Sequence, residues 1–194
     1  MKKMKKIALH SPANFIFTSF AVILEYLKSN KTSSKYRLPL IYWLNAGILT
    51  GVRPVEWASA QYINEKGKER LIIKNAKNSN GRSHGDFRTI LLDKLSREES
   101  LYIQEHVKIA NYYESIGFYS RYQKACSDLL SAVGKTVFKG REEIPCLYSL
   151  RHQFSADAKA SGLSREEIAA LMGLVLTSLE DEIFMKNNVR FQVI

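Results

Sequence analysis

Apolar residues first recur at helical spacing: Ile16, Phe20, Ile23, Leu24 and Leu27 fall on one face. Ser11-Pro12 opens that segment, with serine as cap and proline at the first helical position. The polar run Ser29–Ser34 is a loop. A second helix is expected from about Lys35 to Leu49, carrying Leu38, Ile41, Tyr42 and Leu44, with Pro39 near its first turn. Gly47 and Gly51 then break regularity around Arg53, and Pro54 restarts a short helix through Trp57. Beyond it the pattern changes. Ala60–Asn64, Glu69–Ala76 and Phe87–Leu92 read as three strands, joined by Glu65–Lys68 and the polar stretch Asn78–Asp86. Helical spacing then returns. Ser96-Arg97-Glu98-Glu99 is a capping box that opens a helix towards Ile116, stopped by Gly117. Another helix spans roughly Tyr119–Val133 and ends at Gly134; Gly140–Pro145 is loop. A helix over Ser149–Ser161 ends at Gly162. A second capping box, Ser164-Arg165-Glu166-Glu167, opens a helix that stops at Gly173. The expected fold is mostly α with a small three-stranded antiparallel sheet.

Composition narrows this picture. The 194 residues suit one domain, 1–194, with a basic tail over 1–10. Lys+Arg 29 against Asp+Glu 19 gives +10 and a pI near 9.6, which favours a polyanionic partner, most often nucleic acid. Cys126 and Cys146 cannot form a disulfide framework and lack zinc-ligand spacing; they read as buried or half-buried thiols. No metal or other cofactor is expected. The apolar run Phe15–Leu24 ends at Glu25, has no cleavage site after it and is too short to span a bilayer. A cytoplasmic protein without a membrane partner is therefore expected.

Candidate chemistry starts at Thr50-Gly51-Val52-Arg53-Pro54-Val55-Glu56. A guanidinium in such a turn can offer several donors to a phosphate without losing its charge. Glu56, one helical turn on, can brace it; an ordinary surface Arg–Glu pair is the simpler alternative. Lys66, Lys68, Arg70, Lys74, Lys77, Arg82 and Arg88 crowd the sheet and its loop. A basic ribbon of this kind can neutralise duplex phosphates, though lysines also protect edge strands. Lys77, just before the loop, is the best-placed general acid, with Lys74 next.

The second box is Leu147-Tyr148-Ser149-Leu150-Arg151-His152, followed by Gly162-Leu163-Ser164 and Ala169-Ala170-Leu171-Met172-Gly173. Over Ala46–Gly173 the order and spacing of these pieces resemble the tyrosine recombinase, or phage integrase, family. That resemblance implies a DNA breaking–rejoining catalytic domain acting on duplex DNA in recombination and integration, as in mobile genetic elements. By position, Arg53 and Arg151 look like the two phosphate-binding arginines, Glu56 like the brace of the first, and Lys77 like the hairpin acid. Tyr148 stands where the family usually has histidine; a phenol donates a hydrogen bond but, at a pKa of roughly 10, is a poor base at neutral pH. Lys74, Arg82, Arg88 and His152 are candidate DNA contacts, with helix packing the alternative for His152. The family chemistry builds charge on non-bridging phosphate oxygens, which two arginines stabilise while a tyrosine attacks.

The family's final positions are changed here. Leu174 stands where the L-x-G-H segment has histidine, and Phe184 where the attacking tyrosine belongs. Residues 149–194 contain no tyrosine. Thr177 and Ser178 carry hydroxyls without an obvious base, and Glu180-Asp181-Glu182 adds negative charge. Either the tail is naturally degenerate, or a mutation or frame slip near Gly173 replaced a working one. The family usually has a separate DNA-clamping domain ahead of this one; none is expected within these 194 residues, which would be either a fragment or a domain that acts alone. Three readings follow: a DNA-binding recombinase-like domain impaired in cleavage; an active enzyme with an unrecognised nucleophile; and a regulatory or architectural module. The last would pair with an intact recombinase or its own copy through Val189–Ile194.

Overall fold

A computed structural model describes residues 12–76 and 86–174, with the side chains of the first helix from Ser19 onward. Lys77, Arg82, Phe184, the basic tail and Val189–Ile194 lie outside the described residues. The element order is α1 (Pro12–Lys28), α2 (Arg37–Thr50), a 3₁₀ helix (Pro54–Ser59), β1 (Gln61–Glu65), β2 (Lys68–Lys74) and β3 (Phe87–Leu91). Four helices follow: α3 (Arg97–Ser115), α4 (Tyr119–Val137), α5 (Ser149–Ala160) and α6 (Arg165–Leu171). The sheet is antiparallel in the order β1-β2-β3.

The α2 helix is the centre of the core, packed against α1, α3, α4 and α5. Its buried residues, including Leu40, Ile41, Trp43, Leu44 and Ala46, cover a broad arc of the helix and leave the side carrying Leu38 and Tyr42 outward. That explains one departure from expectation. Leu38 is exposed and Tyr42 only half-buried, whereas Leu40 and Trp43 carry the packing. On α1, Phe20, Ile23 and Leu27 are buried as the spacing predicts. The strongly amphipathic α4 turns Tyr119, Tyr122, Cys126, Leu130 and Val133 inward. It runs four residues past the expected end at Val133, because Gly134 is not a stop. Gly134 is a buried helical residue with no room for a Cβ beside Ile144. Both capping boxes form. Ser96 Oγ accepts from Glu99 N at 3.3 Å, and Ser164 Oγ accepts from Glu167 N at 3.2 Å.

His106 on α3 is fully buried between two tryptophans, its ring centroid 4.7 Å from Trp43 and 4.6 Å from Trp57. Neither ring nitrogen has a hydrogen-bond partner among the described residues, and burial pushes its pKa down to about 3. The imidazole therefore acts as an apolar ring at neutral pH. Cys126 is buried, but Cys146 is exposed, so the expectation of two covered thiols holds only for the first. Among the described residues, no helix is long and apolar enough to cross a membrane and no His/Cys/Asp/Glu group is arranged to hold a metal ion.

Candidate nucleic-acid interface

Two helix boundaries bring the arginine boxes together. The α2 helix ends at Gly51, which takes a left-handed φ of 64° and donates its N–H to Gly47 O. A side chain there would be strained in φ and would strike the ring of Phe154 on α5. This close approach seats Leu150, Arg151 and Phe154, all buried, against the end of α2. Arg151 Nη1 donates to Gly51 O at 2.7 Å and Nη2 to Met172 O at 2.5 Å. The second box thereby grips the backbone of the first, two residues before Arg53.

Arg53 caps the 3₁₀ helix, and Glu56 folds back over the turn. Glu56 Oε1 accepts from Arg53 Nη1 at 2.5 Å and from Ala76 N at 3.3 Å. Its Oε2 accepts from Arg53 N at 2.9 Å and from Arg88 Nη2 at 2.6 Å. Burial alone would raise the Glu56 carboxyl. The hydrogen bond and charge of Arg88, then the backbone N–H and charge of Arg53, outweigh it and hold the pKa at about 2. Glu56 is thus ionised, and it is the one buried carboxylate among the described residues.

Arg53 and Arg88 share that carboxylate, and the Arg151 guanidinium is held nearby on the backbone carbonyls of Gly51 and Met172; the three side chains are 5%, 4% and 2% exposed. Burial, then the positive charge of Arg53, lowers the Arg151 pKa to about 10, while Glu56 partly restores it. Burial likewise lowers Arg88, against the opposing pull of Glu56. Guanidinium groups in general keep their proton in proteins. The cluster therefore carries more buried positive charge than its carboxylate balances, which favours an added anion.

Arg53 reaches a cleft of about 840 Å³ lined also by Pro54, Ala76, Cys146, Leu147 and Tyr148, with Gln123 and Lys124 of α4 opposite. The buried Arg53 Nε has no hydrogen-bond partner among the described residues. Tyr119 on α4 donates its hydroxyl to Pro54 O, fixing this wall against the arginine turn. Tyr148 is exposed, and its ring meets that of His152 edge-on at 5.4 Å. His152 is itself exposed, so helix packing does not account for it.

The sequence-predicted residues divide into groups. Arg53, Glu56 and Arg151 converge in one buried network, and Arg53 and Tyr148 line one cleft. Leu174 is partly exposed just beyond Met172, whose carbonyl Arg151 holds. Lys74 is exposed on the outer face of β2, paired in register with the exposed Phe87. Arg88 departs from its expected place on a DNA-facing surface. Its Cβ shares the inward face of the sheet with Ile73 and Ile90, so its charge is consumed in the Glu56 network. Arg70 is also engaged, through a 2.8 Å pair with Glu65. Sequence reasoning missed Asn75 and the α4 wall. The wall was legible, because Ser120, Gln123, Lys124 and Ser127 recur at helical spacing along the flank of the buried α4 stripe.

Helices packed around a small antiparallel sheet, with two arginine boxes meeting beneath it, form the fold of the tyrosine-recombinase-type DNA breaking–rejoining enzymes. The chain is similar to a solved structure described as an arginine-to-alanine variant of protelomerase TelA covalently complexed with substrate DNA. The TM-score is 0.51 at 20% identity, over 81% of this chain and 53% of that one. The chain thus spans about half the length of that protelomerase. No family model and no curated protein matches it.

Proposed function

We propose that this chain is a DNA-binding, recombinase-like domain whose arginine cluster holds a backbone phosphate of duplex DNA. The observation that carries this reading is the gathering of three buried guanidinium groups, two of them paired with Glu56 and the third held on backbone carbonyls, beside an open cleft. Arg53 and Arg151 would stabilise the phosphate charge, with Glu56 keeping Arg53 in its rotamer. Tyr148 would donate a hydrogen bond from the cleft rim. Lys74, Lys77, Arg82 and His152 would extend the contact along the backbone. Strand cleavage would be impaired, since Phe184 keeps a ring and has no attacking oxygen. DNA binding at low salt, measured by gel shift, is the expected result; no binding there overturns the proposal. A covalent adduct on a nicked suicide substrate would overturn the impairment.

One observation favours a second reading, an active enzyme with another nucleophile. The exposed phenol of Tyr148 lines the same cleft as Arg53. In that reaction its oxygen would bond to phosphorus as its proton passes to solvent water, the bond from phosphorus to the 5′ oxygen would break, and the departing oxygen would take a proton from Lys77. Peptide mapping of a trapped adduct to Tyr148 decides for it.

A further inference from the structure

Arg88 lies on the basic hairpin but is directed into the protein, and its three nitrogens bind three separate segments. Nη2 donates to Glu56 Oε2 at 2.6 Å, Nε donates to Leu171 O at 3.0 Å, and Nη1 donates to Asn75 Oδ1. Glu56 belongs to the turn that presents Arg53, and its other oxygen receives Arg53 Nη1 and the Ala76 N–H. Asn75 and Ala76 follow the end of β2 and lead to Lys77. Leu171 ends α6, which leads to Leu174. One planar fork therefore joins the first arginine box, the mouth of the hairpin loop and the exit of the last described helix.

The surroundings are built to keep this fork in place. Gly173 has φ +60°, and a Cβ on it would lie 2.6 Å from Asn75 Oδ1 and 3.0 Å from Arg88 Nη1. The chain after α6 passes this close only because no side chain intervenes. Apolar residues could fill the same buried volume without the desolvation cost of two charges, so packing alone does not call for an arginine here. What arginine adds is fixed direction: donors in one plane, each aimed at a different acceptor. With Oε2 engaged by Arg88, Oε1 is left to orient Arg53 and Ala76 together.

We infer that Arg88 is a positioning residue, which sets Arg53 and the start of the hairpin loop in one register for phosphate binding. The inference deepens the phosphate-binding reading above and rests on it for its functional consequence.

The test is Arg88→Lys, which keeps the charge and removes the fork, read by backbone amide exchange and by affinity for a random-sequence DNA duplex at low salt. The Arg53 and Ala76 amides, both donors to Glu56, should exchange on the order of tenfold faster while the α3 and α4 amides keep their wild-type rates. Duplex affinity should fall by about the same factor. Wild-type protection at Arg53 and Ala76 overturns the inference, as does uniform acceleration through α3 and α4, which marks a general stability effect. Should Arg88→Lys not fold, Asn75→Ala removes a single acceptor and is read in the same way. A wild-type protein that does not bind the duplex overturns the proposed function instead, and the exchange pattern still decides what Arg88 positions.

Discussion

Replacing Glu56 by glutamine keeps the side-chain volume and removes the charge around which Arg53 and Arg88 are arranged. Glutamine also turns one acceptor into an NH₂ group, which must face the guanidinium of either Arg88 or Arg53. Breaking a buried pair by removing one partner typically costs about 3–5 kcal/mol, because the other charge stays buried without compensation. The Glu56 titration gives an independent figure. A carboxyl held at about 2 instead of 4.5 corresponds to about 3 kcal/mol of stability at neutral pH. The sign follows from the direction of the shift. The folded pKa is depressed, so this contribution is complete above pH 4.5 and disappears as pH falls through 2. Urea unfolding of wild type and Glu56→Gln should therefore differ by about 3–5 kcal/mol at pH 7. The difference should shrink as the pH drops below about 4.5. A loss under about 1 kcal/mol, or a gap that is constant from neutral to acid pH, would refute the picture of one ionised carboxylate balancing buried arginines.

Acid should also act through His106. Its folded pKa, lowered to about 3 from 6.5, means that stability is full above pH 6.5 and is lost as pH falls towards 3. About 2 kcal/mol should go between pH 7 and 5, and His106→Leu should abolish that slope in urea titrations. Gly173→Ala should lower stability by about 2 kcal/mol or more, from strained φ and the clash with Asn75, read as a lower melting temperature. Lys74→Ala, at an exposed strand end, should leave melting unchanged and reduce the salt slope of duplex binding by about one.

The helices and their starts were legible because caps depend on residues three positions apart. Ser96 with Glu99 and Ser164 with Glu167 form as their spacing requires. The strands lie close to the expected ranges, since alternation and turn residues are likewise local. Glu56 as the brace of Arg53 was legible for the same reason, being one turn away. The burial of Arg88 was not. Strand alternation gives a residue two faces, and only the packing of α6 shows that the Arg88 face is the inner one. Gly134 misled because a glycine that ends a helix and one that admits a neighbour look alike until Ile144 is in place.

By itself, then, the sequence determined the helical class, the small sheet, the basic balance and the positions of the two arginine-bearing segments. These rest on composition and on neighbours within a turn or two. Tertiary structure alone decided which charges are buried and which oxygens they meet. Arg151 reaches Gly51 across 100 positions, and Arg88 reaches Leu171 across 83. Such contacts depend on how helices close around the sheet, and no local pattern records them. A basic strand residue is solvent-exposed at Lys74 and an internal fork at Arg88, because desolvation and partner geometry exist only in the folded chain.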